Sequence, residues 1–133
     1  MTQTDALVRE ITPGPRALED MAAALDRAWS QNPSVPDEVR THVGIAVGEI
    51  AANILEHATP AWIRIEVRVL ADRIQVDLVD DGRPSDVDPA SARLPDDFAE
   101  RGRGLALAQA ALEHLSYCRD SVNHWVLISK RFG

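Results

Sequence analysis

Between residues 62 and 79, apolar and charged side chains alternate in two short stretches. Isoleucines and valines alternate with charged residues from 62 to 70, and the same period of two returns from 74 to 78 after a tight turn at Ala71 and Asp72. Because successive side chains of a β-strand point to opposite faces, this pattern predicts an antiparallel hairpin with one buried face.

Two segments before the hairpin have apolar residues spaced three to four positions apart, as in a helix. The first covers residues 15–29 and begins at Pro15, which suits the first helical turn because it has no N–H group to leave unpaired. The second covers residues 37–57 and is stopped by Pro60. Its apolar stripe, which we expect to be buried, consists of Val39, Val43, Ala46, Val47, Ile50 and Ile54.

The remaining segments predict one more helix and three more strands. They are a first strand at residues 6–12, a helix at residues 104–115 and closing strands at residues 116–119 and 124–131. We expect Val126 and Ile128 of the last strand to face the core. Residues 81–101 lose all periodicity and contain three prolines, which predicts a long loop or lid at about residues 83–101.

The order of these elements predicts an α+β fold. Two helices precede the hairpin, and the regular β-α-β alternation of a doubly wound parallel sheet is absent. We therefore expect a two-layer α/β sandwich, in which helices cover one face of a mixed, mostly antiparallel sheet. A length of 133 residues suits a single domain that spans residues 1–133.

The chain is acidic and contains one cysteine. Its formal net charge of −7 at pH 7 disfavours direct contact with nucleic acid or an anionic membrane surface. The single Cys118 excludes an internal disulfide and suits a reducing compartment. The N-terminal segment lacks the basic and apolar pattern of a signal peptide, so we expect a cytoplasmic protein.

Three short clusters carry candidate chemistry, and the first lies on the second helix. Glu49 and Asn53 are four residues apart and therefore project from the same side of that helix. A carboxylate and an amide in this arrangement can orient a nucleophile and bind a hard cation. Routine polar residues on a solvated helix face have the same spacing.

The second cluster is Asp80-Asp81-Gly82 at the end of the predicted hairpin. Alternation places Asp80 on the buried face, where a carboxylate needs a hydrogen-bond donor such as the exocyclic amine of adenine. Gly82 would let the backbone approach a base closely. Ordinary Asp-Gly turns are also common after strands.

The third cluster leads into the third predicted helix. Gly102 and Gly104 at a helix start would present free backbone N–H groups to a phosphate, and Arg101 and Arg103 would add permanently charged donors. A glycine-containing loop that simply enters a helix gives the same sequence, so the cluster is weak evidence by itself.

In their order and spacing, the three clusters resemble the N, G1 and G2 boxes of the GHKL ATPase superfamily, which has the Bergerat ATP-binding fold and includes gyrase, MutL and histidine kinases. The resemblance covers about residues 10–132. The short length and the motif Asp80-x-Gly82-x-Pro84 are similar to the RsbW and SpoIIAB branch, the anti-sigma-factor serine/threonine kinases. Members of that branch phosphorylate a small STAS-domain antagonist and also sequester a sigma factor or similar target.

The resemblance implies a role for each matching residue. Glu49 would be the general base that accepts the proton of the attacking hydroxyl group, and Asn53 would be a ligand of Mg²⁺. Asp80 would accept a hydrogen bond from the adenine amine, with Gly82 beneath the base. The residues implied to hold the ATP phosphates are Arg101, Gly102, Arg103, Gly104 and Leu105.

Three further positions bear on the resemblance. Ala106 stands where many relatives have a glycine, and His124 falls near a position where relatives often have a threonine or asparagine directed toward the adenine site. Either change could weaken nucleotide binding. His57 matches a histidine that is frequent in the branch, and we expect a structural or surface role for it by default.

The resemblance implies an ATP- and Mg²⁺-dependent kinase with two kinds of partner. A STAS-domain anti-anti-sigma protein would be the substrate, a sigma factor or other regulator would be the target, and a homodimer is compatible with the branch. The alternative is a non-catalytic ATP-binding module that sequesters a regulatory partner. A histidine-kinase catalytic domain is disfavoured because no phosphoacceptor segment precedes the fold, and a phospho-accepting receiver because the hairpin at 62–79 contradicts its parallel sheet.

Overall fold

The structure, a computed structural model, describes residues 6–85 and 100–133, and the side chains of residues 100–103 lie outside this description. Most of the loop expected at 83–101 therefore falls outside the described residues.

The described residues form five strands and three α-helices. The strands are β1 (Leu7–Ile11), β2 (Ile63–Val69), β3 (Ile74–Asp80), β4 (Leu112–Asp120) and β5 (Val122–Ser129), and the helices are α1 (Ala17–Gln31), α2 (Asp37–Asn53) and α3 (Glu100–Ala111). The strands lie in the order β1-β2-β3-β5-β4, and every neighbouring pair is antiparallel. The predicted α+β fold is confirmed, and the sheet is antiparallel throughout.

The core lies between the helices and one face of the sheet. The hairpin predicted from alternation is β2 and β3, and its apolar positions are buried as expected. The apolar residues that β2, β3 and β5 bury on this side of the sheet are Ile63, Ile65, Val67, Ile74, Val76, Leu78, Trp125 and Leu127. The predicted stripe of α2 covers this face, with Val39 partly buried and its other members buried.

A single turn of π-helix, Ile54–Ala58, continues α2 beyond Asn53. Thr59 ends it in the left-handed conformation, with φ at 45°, directly before Pro60. The helical segment therefore ends directly before Pro60, as predicted from the sequence. Its last turn is wider than an α-helical turn, a feature that is frequent at functional sites.

The expected bounds of the third helix, residues 104–115, are wrong, because within the described residues the helix already includes the four residues before Gly104. α3 begins at Glu100 rather than at Gly104, and it ends at Ala111. Two glycines disfavour a helix by only about 1 kcal/mol each, which packing can offset. Leu105 and Ala108 of α3 are buried in the core, so tertiary contacts hold the glycine-containing segment in the helix.

The expected inward face of the last strand is also wrong. Trp125 and Leu127 are buried, whereas Val126 and Ile128 lie on the face that the helices leave uncovered. β4 is longer than expected and joins β5 through Ser121, which has a positive φ of 68°. Within the predicted strand, residues 124–131, each phase contains two apolar side chains, so alternation did not decide between them.

No helix within residues 6–85 and 100–133 combines the length and apolar character that a membrane span requires.

This assignment of faces predicts unequal costs for two neighbouring truncations. Leu127→Ala should lower the free energy of unfolding by about 2–5 kcal/mol because it leaves a cavity in the core. Ile128→Ala, on the uncovered face, should cost less than half as much. Urea unfolding of both variants measures the difference, and an equal or larger cost for Ile128→Ala would contradict the observed phase of β5.

Candidate functional site

A cleft of about 330 Å³ opens between the end of α2 and the end of β3. The helical side contributes Asn53, His57 and Ala58, and the sheet contributes Asp80, Asn123 and Trp125. Two residues singled out from the sequence, Asn53 and Asp80, thus share one cavity although they come from distant parts of the chain.

Asp80 is fully buried, and its two carboxylate oxygens differ in their surroundings. Oδ1 accepts hydrogen bonds from the backbone N–H of Gly82 at 2.8 Å and from Nδ2 of Asn123 at 3.0 Å. Oδ2 has no hydrogen-bond partner among the described residues. A buried acceptor without a partner is costly, so a ligand that brings a donor to this atom would remove that cost.

Burial raises the pKa of Asp80 above its ordinary value. The hydrogen bonds from Asn123 and Gly82 oppose this effect because they favour the ionised carboxylate. A ligand that donates to Oδ2 would act in the same direction as these two bonds and would stabilise the charged form.

The neighbouring carboxylate, Asp81, has a different task. Its Oδ1 accepts hydrogen bonds from the backbone N–H groups of Ala61 and Trp62, at 2.8 and 3.1 Å. These bonds fix the segment that leads into β2. Of the two adjacent aspartates, Asp81 is therefore engaged in the fold, and Asp80 is the one that faces the cleft.

Gly82 fits the site because a side chain there has no room. A Cβ atom on Gly82 would lie 2.3 Å from the carbonyl oxygen of Ala58 and 2.7 Å from its Cβ. The same carbonyl oxygen accepts a hydrogen bond from the N–H of Arg83 at 2.8 Å. The end of β3 is thus tied directly to the π turn, and both border the cleft.

Glu49 lies one helical turn before Asn53 and contacts α3. A Cβ atom on Gly104 would lie 2.7 Å from Oε2 of Glu49, so the glycine lets α3 come close to this carboxylate. Glu49 is not part of the cleft lining among the described residues. The structure thus joins Asn53 with Asp80, and Glu49 with Gly104.

The predicted phosphate-holding segment lies in the first turns of α3. The side chains of Arg101 and Arg103 are outside the described residues. Because the helix begins at Glu100, the backbone N–H groups of Gly104 and Leu105 lie inside it and not among the free groups at its start. The role of this segment in holding phosphate stays a prediction.

The adjoining positions of α3 are part of the core. Leu105 and Ala106 are both buried, and Leu105 belongs to the main apolar cluster. Ala106, where relatives often have a glycine, therefore fills interior space.

His124 was expected near a position where relatives have a threonine or asparagine directed toward the adenine site, and in the structure Asn123, one residue earlier, lines the cleft. His124 lies on the uncovered face of the sheet, where its Nε2 is 2.6 Å from Oδ2 of Asp77. Asn123, its neighbour, pairs with Asp80 across the strands and donates to it. The buried Trp125 identifies the inner phase of β5. Asn123 lies two residues before it, so its side chain is on the same inner side of the sheet.

His57 lies in the cleft rather than on an unrelated surface. Its Nε2 is 3.6 Å from Oε2 of Glu56, and its side chain is about one-third exposed. A structural or surface role was expected for His57. That expectation did not include its position in the cleft beside Asn53 and Asp80.

Comparison with known families gives one match. A family described as "Histidine kinase-like ATPase domain" matches residues 11–130 of the chain. This range contains both sides of the cleft, from α2 to β5. No curated protein matches the chain.

Several solved structures have a similar fold. The histidine kinase domain of the Erythrobacter litoralis EL346 blue-light activated histidine kinase is 21% identical, with a TM-score of 0.54, and the match covers 85% of this chain and 58% of that one. The Acinetobacter baumannii histidine kinase AdeS is 12% identical, with a TM-score of 0.53, and the match covers 95% of this chain and 68% of that one. The catalytic domain of histidine kinase ThkA is 13% identical, with a TM-score of 0.52, and the match covers 93% of this chain and 97% of that one. At these identities the likeness establishes the fold.

The raised pKa of Asp80 predicts a pH-dependent stability. Above the ordinary value of 3.8, the unfolded chain gives up this proton before the folded one does, so the contribution of Asp80 to stability falls as pH rises. Asp80→Asn removes this titration. The free energy of unfolding of the wild type, relative to Asp80→Asn, should therefore decrease between about pH 4 and pH 7.

Urea unfolding at several pH values, without ligand, measures this difference. Asp26→Asn, on an exposed face of α1, corrects for the loss of one negative charge. A difference between wild type and Asp80→Asn that stays constant with pH, after this correction, would contradict the raised pKa.

Proposed function

This chain belongs to the histidine kinase-like ATPase domain family, and we propose that it is an ATP-dependent serine/threonine protein kinase. Its proposed substrate is a STAS-domain anti-anti-sigma protein, and it would also act as an anti-sigma factor or other partner-switching regulator. ATP binding follows from the family and from the cleft. The protein substrate and the sequestered target rest on the sequence resemblance of the motif Asp80-x-Gly82-x-Pro84.

The observation that carries the nucleotide site is the unpaired Oδ2 of the buried Asp80. The exocyclic amine of adenine is a neutral donor that can satisfy it, whereas a 6-oxo purine would bring a second acceptor to the same place. The close approach of Gly82 to Ala58 holds the end of β3, which carries Asp80, against the opposite wall of the cleft. The cleft is therefore suited to an adenine base.

Asn53 supports the proposed use of Mg²⁺. Its side chain lines the same cleft as Asp80 and offers an amide oxygen, a ligand type that Mg²⁺ accepts. No cluster of three or more metal-binding His, Cys, Asp or Glu side chains occurs in the described part of the chain. This donor set fits a Mg²⁺ ion that is held chiefly by the nucleotide phosphates. Such an ion would neutralise negative charge on the phosphoryl group that is transferred.

Glu49 is the proposed proton acceptor. In the transfer step, the serine or threonine oxygen forms a bond to the γ-phosphorus, and the bond from that phosphorus to the departing oxygen of ADP breaks. The hydroxyl proton passes to the Glu49 carboxylate. Its position against Gly104 holds this carboxylate one helical turn from Asn53.

Phosphorylation would then switch the partner. A phosphate adds close to two negative charges to the substrate. The kinase itself carries a net charge of −7, so the phosphorylated product would be repelled from its surface. Release of the product would leave the kinase able to bind its other target.

The nucleotide site predicts a ligand-dependent rise in melting temperature. ATP with Mg²⁺ at about 100 times its Kd should stabilise the wild type by about 2.7 kcal/mol, or several degrees. Asp80→Asn should lose most of the rise because it replaces the acceptor Oδ2 by a donor, whereas Asp26→Asn should keep it. A thermal shift assay gives the result, and an equal rise in Asp80→Asn would exclude this reading of the cleft.

The catalytic step predicts that two different variants share one defect. Glu49→Gln removes the proton acceptor, and Gly104→Ala places a methyl group 2.7 Å from Oε2 of Glu49, too close for the carboxylate to keep its position. Glu49→Gln should slow phosphate transfer to the STAS-domain protein by about 100-fold or more and spare ATP binding, and Gly104→Ala should slow transfer in the same direction. Gly44→Ala is the matched control, since a Cβ atom there meets nothing within 4 Å.

Transfer is measured with ATP labelled at the γ-phosphate. A label that survives acid treatment indicates phosphoserine or phosphothreonine, whereas an acid-labile product would indicate histidine phosphorylation and overturn the proposed specificity. Full transfer by Glu49→Gln would exclude its role as base. ATP binding without transfer to any STAS-domain protein would favour the non-catalytic alternative, a module that sequesters a regulatory partner.

A further inference from the structure

Asn123 is the central member of a hydrogen-bond network at the end of the sheet. It is almost fully buried, and its Nδ2 donates to Oδ1 of Asp80 at 3.0 Å and to the carbonyl oxygen of Arg83 at 2.8 Å, with a longer contact of 3.3 Å to the carbonyl oxygen of Gly82. The amide therefore binds both the carboxylate at the base of the cleft and the segment that follows β3.

An asparagine amide can be turned by 180° with almost no change in shape, so its neighbours must decide which end faces Asp80. Two side chains from β4 meet the other end. Nη1 of Arg119 lies 2.8 Å from Oδ1 of Asn123 and also donates to the carbonyl oxygen of Gly82 at 3.0 Å. A guanidinium group has no acceptor, so the atom of Asn123 that it contacts must be the oxygen.

Tyr117 reinforces the same orientation. Its hydroxyl oxygen accepts a hydrogen bond from the backbone N–H of Ser85 at 2.9 Å, and its hydrogen is then directed to Oδ1 of Asn123. The ring packs against Trp125, with centroids 4.6 Å apart, and Trp125 itself lines the cleft. The phenol group is thus held in place by packing that does not depend on its hydroxyl.

We propose that Tyr117 and Arg119 are positioning residues that make the cleft prefer a 6-amino purine to a 6-oxo purine, by fixing the orientation of the Asn123 amide. With Nδ2 toward Asp80, Oδ1 of the carboxylate is occupied and Oδ2 is left as the acceptor for the base. With the amide reversed, two oxygens would face each other, and a proton on Asp80 would be needed between them. This inference rests on the proposed binding of an adenine nucleotide.

The test compares two nucleotides that differ at the 6-position of the purine, ADP and inosine diphosphate. Calorimetry on the full chain gives both Kd values for the wild type, Tyr117→Phe and Arg119→Gln. The wild type should prefer ADP, and each variant should reduce the preference by about three- to tenfold, chiefly by weakening ADP. Tyr117→Phe keeps the ring on Trp125, and Arg119 is exposed, so neither change removes core packing.

Cys118→Ser is the matched control, because Cys118 is an exposed residue of the same strand and lies between the two tested positions. It should leave both Kd values unchanged. Equal weakening of both nucleotides by the two variants would indicate a structural role only and would overturn the inference, as would an unchanged preference. A wild type that binds neither nucleotide would instead refute the proposed function on which the inference rests.

Discussion

The half-satisfied carboxylate of Asp80 is the interaction on which the rest of the site depends. One oxygen is bound by the fold, and the other is buried without a partner in the described residues. A protein gains nothing in stability from such an atom, since burial of an unpaired acceptor is costly. The cost is explained if binding, rather than folding, completes the hydrogen bonds of this carboxylate.

The sequence predicted the sheet hairpin and the buried stripe of α2 because each has a single reading. In β2, and in β3 as far as Leu78, only one phase of the alternation is apolar, and in α2 the apolar side chains form one continuous face. These elements carry Asn53 and place Asp80 on the inner side, so the shared cleft could be anticipated from them. The site was predictable where local pattern and tertiary burial agree.

Prediction failed where local pattern was ambiguous or was overridden. β5 offers two apolar phases, and the choice between them depends on its register with β3, which a single strand does not contain. As a result, His124 rather than Asn123 was aligned with the position where relatives often have a threonine or asparagine. The start of α3 was misplaced because contacts of Leu105 and Ala108 with the core outweigh the helix-breaking tendency of the glycines.

The position of β4 at the border of the sheet has a consequence for how long the amide of Asn123 stays fixed. β4 pairs only with β5 among the described strands, whereas β3, which carries Asp80, is flanked on both sides. Outer strands open by local fluctuation at lower free energy than central ones, as amide hydrogen exchange reveals. Each opening that includes residues 117–119 would remove both β4 contacts to Oδ1 of Asn123 while the fold persists, so the preference for the base would weaken on warming before the domain melts.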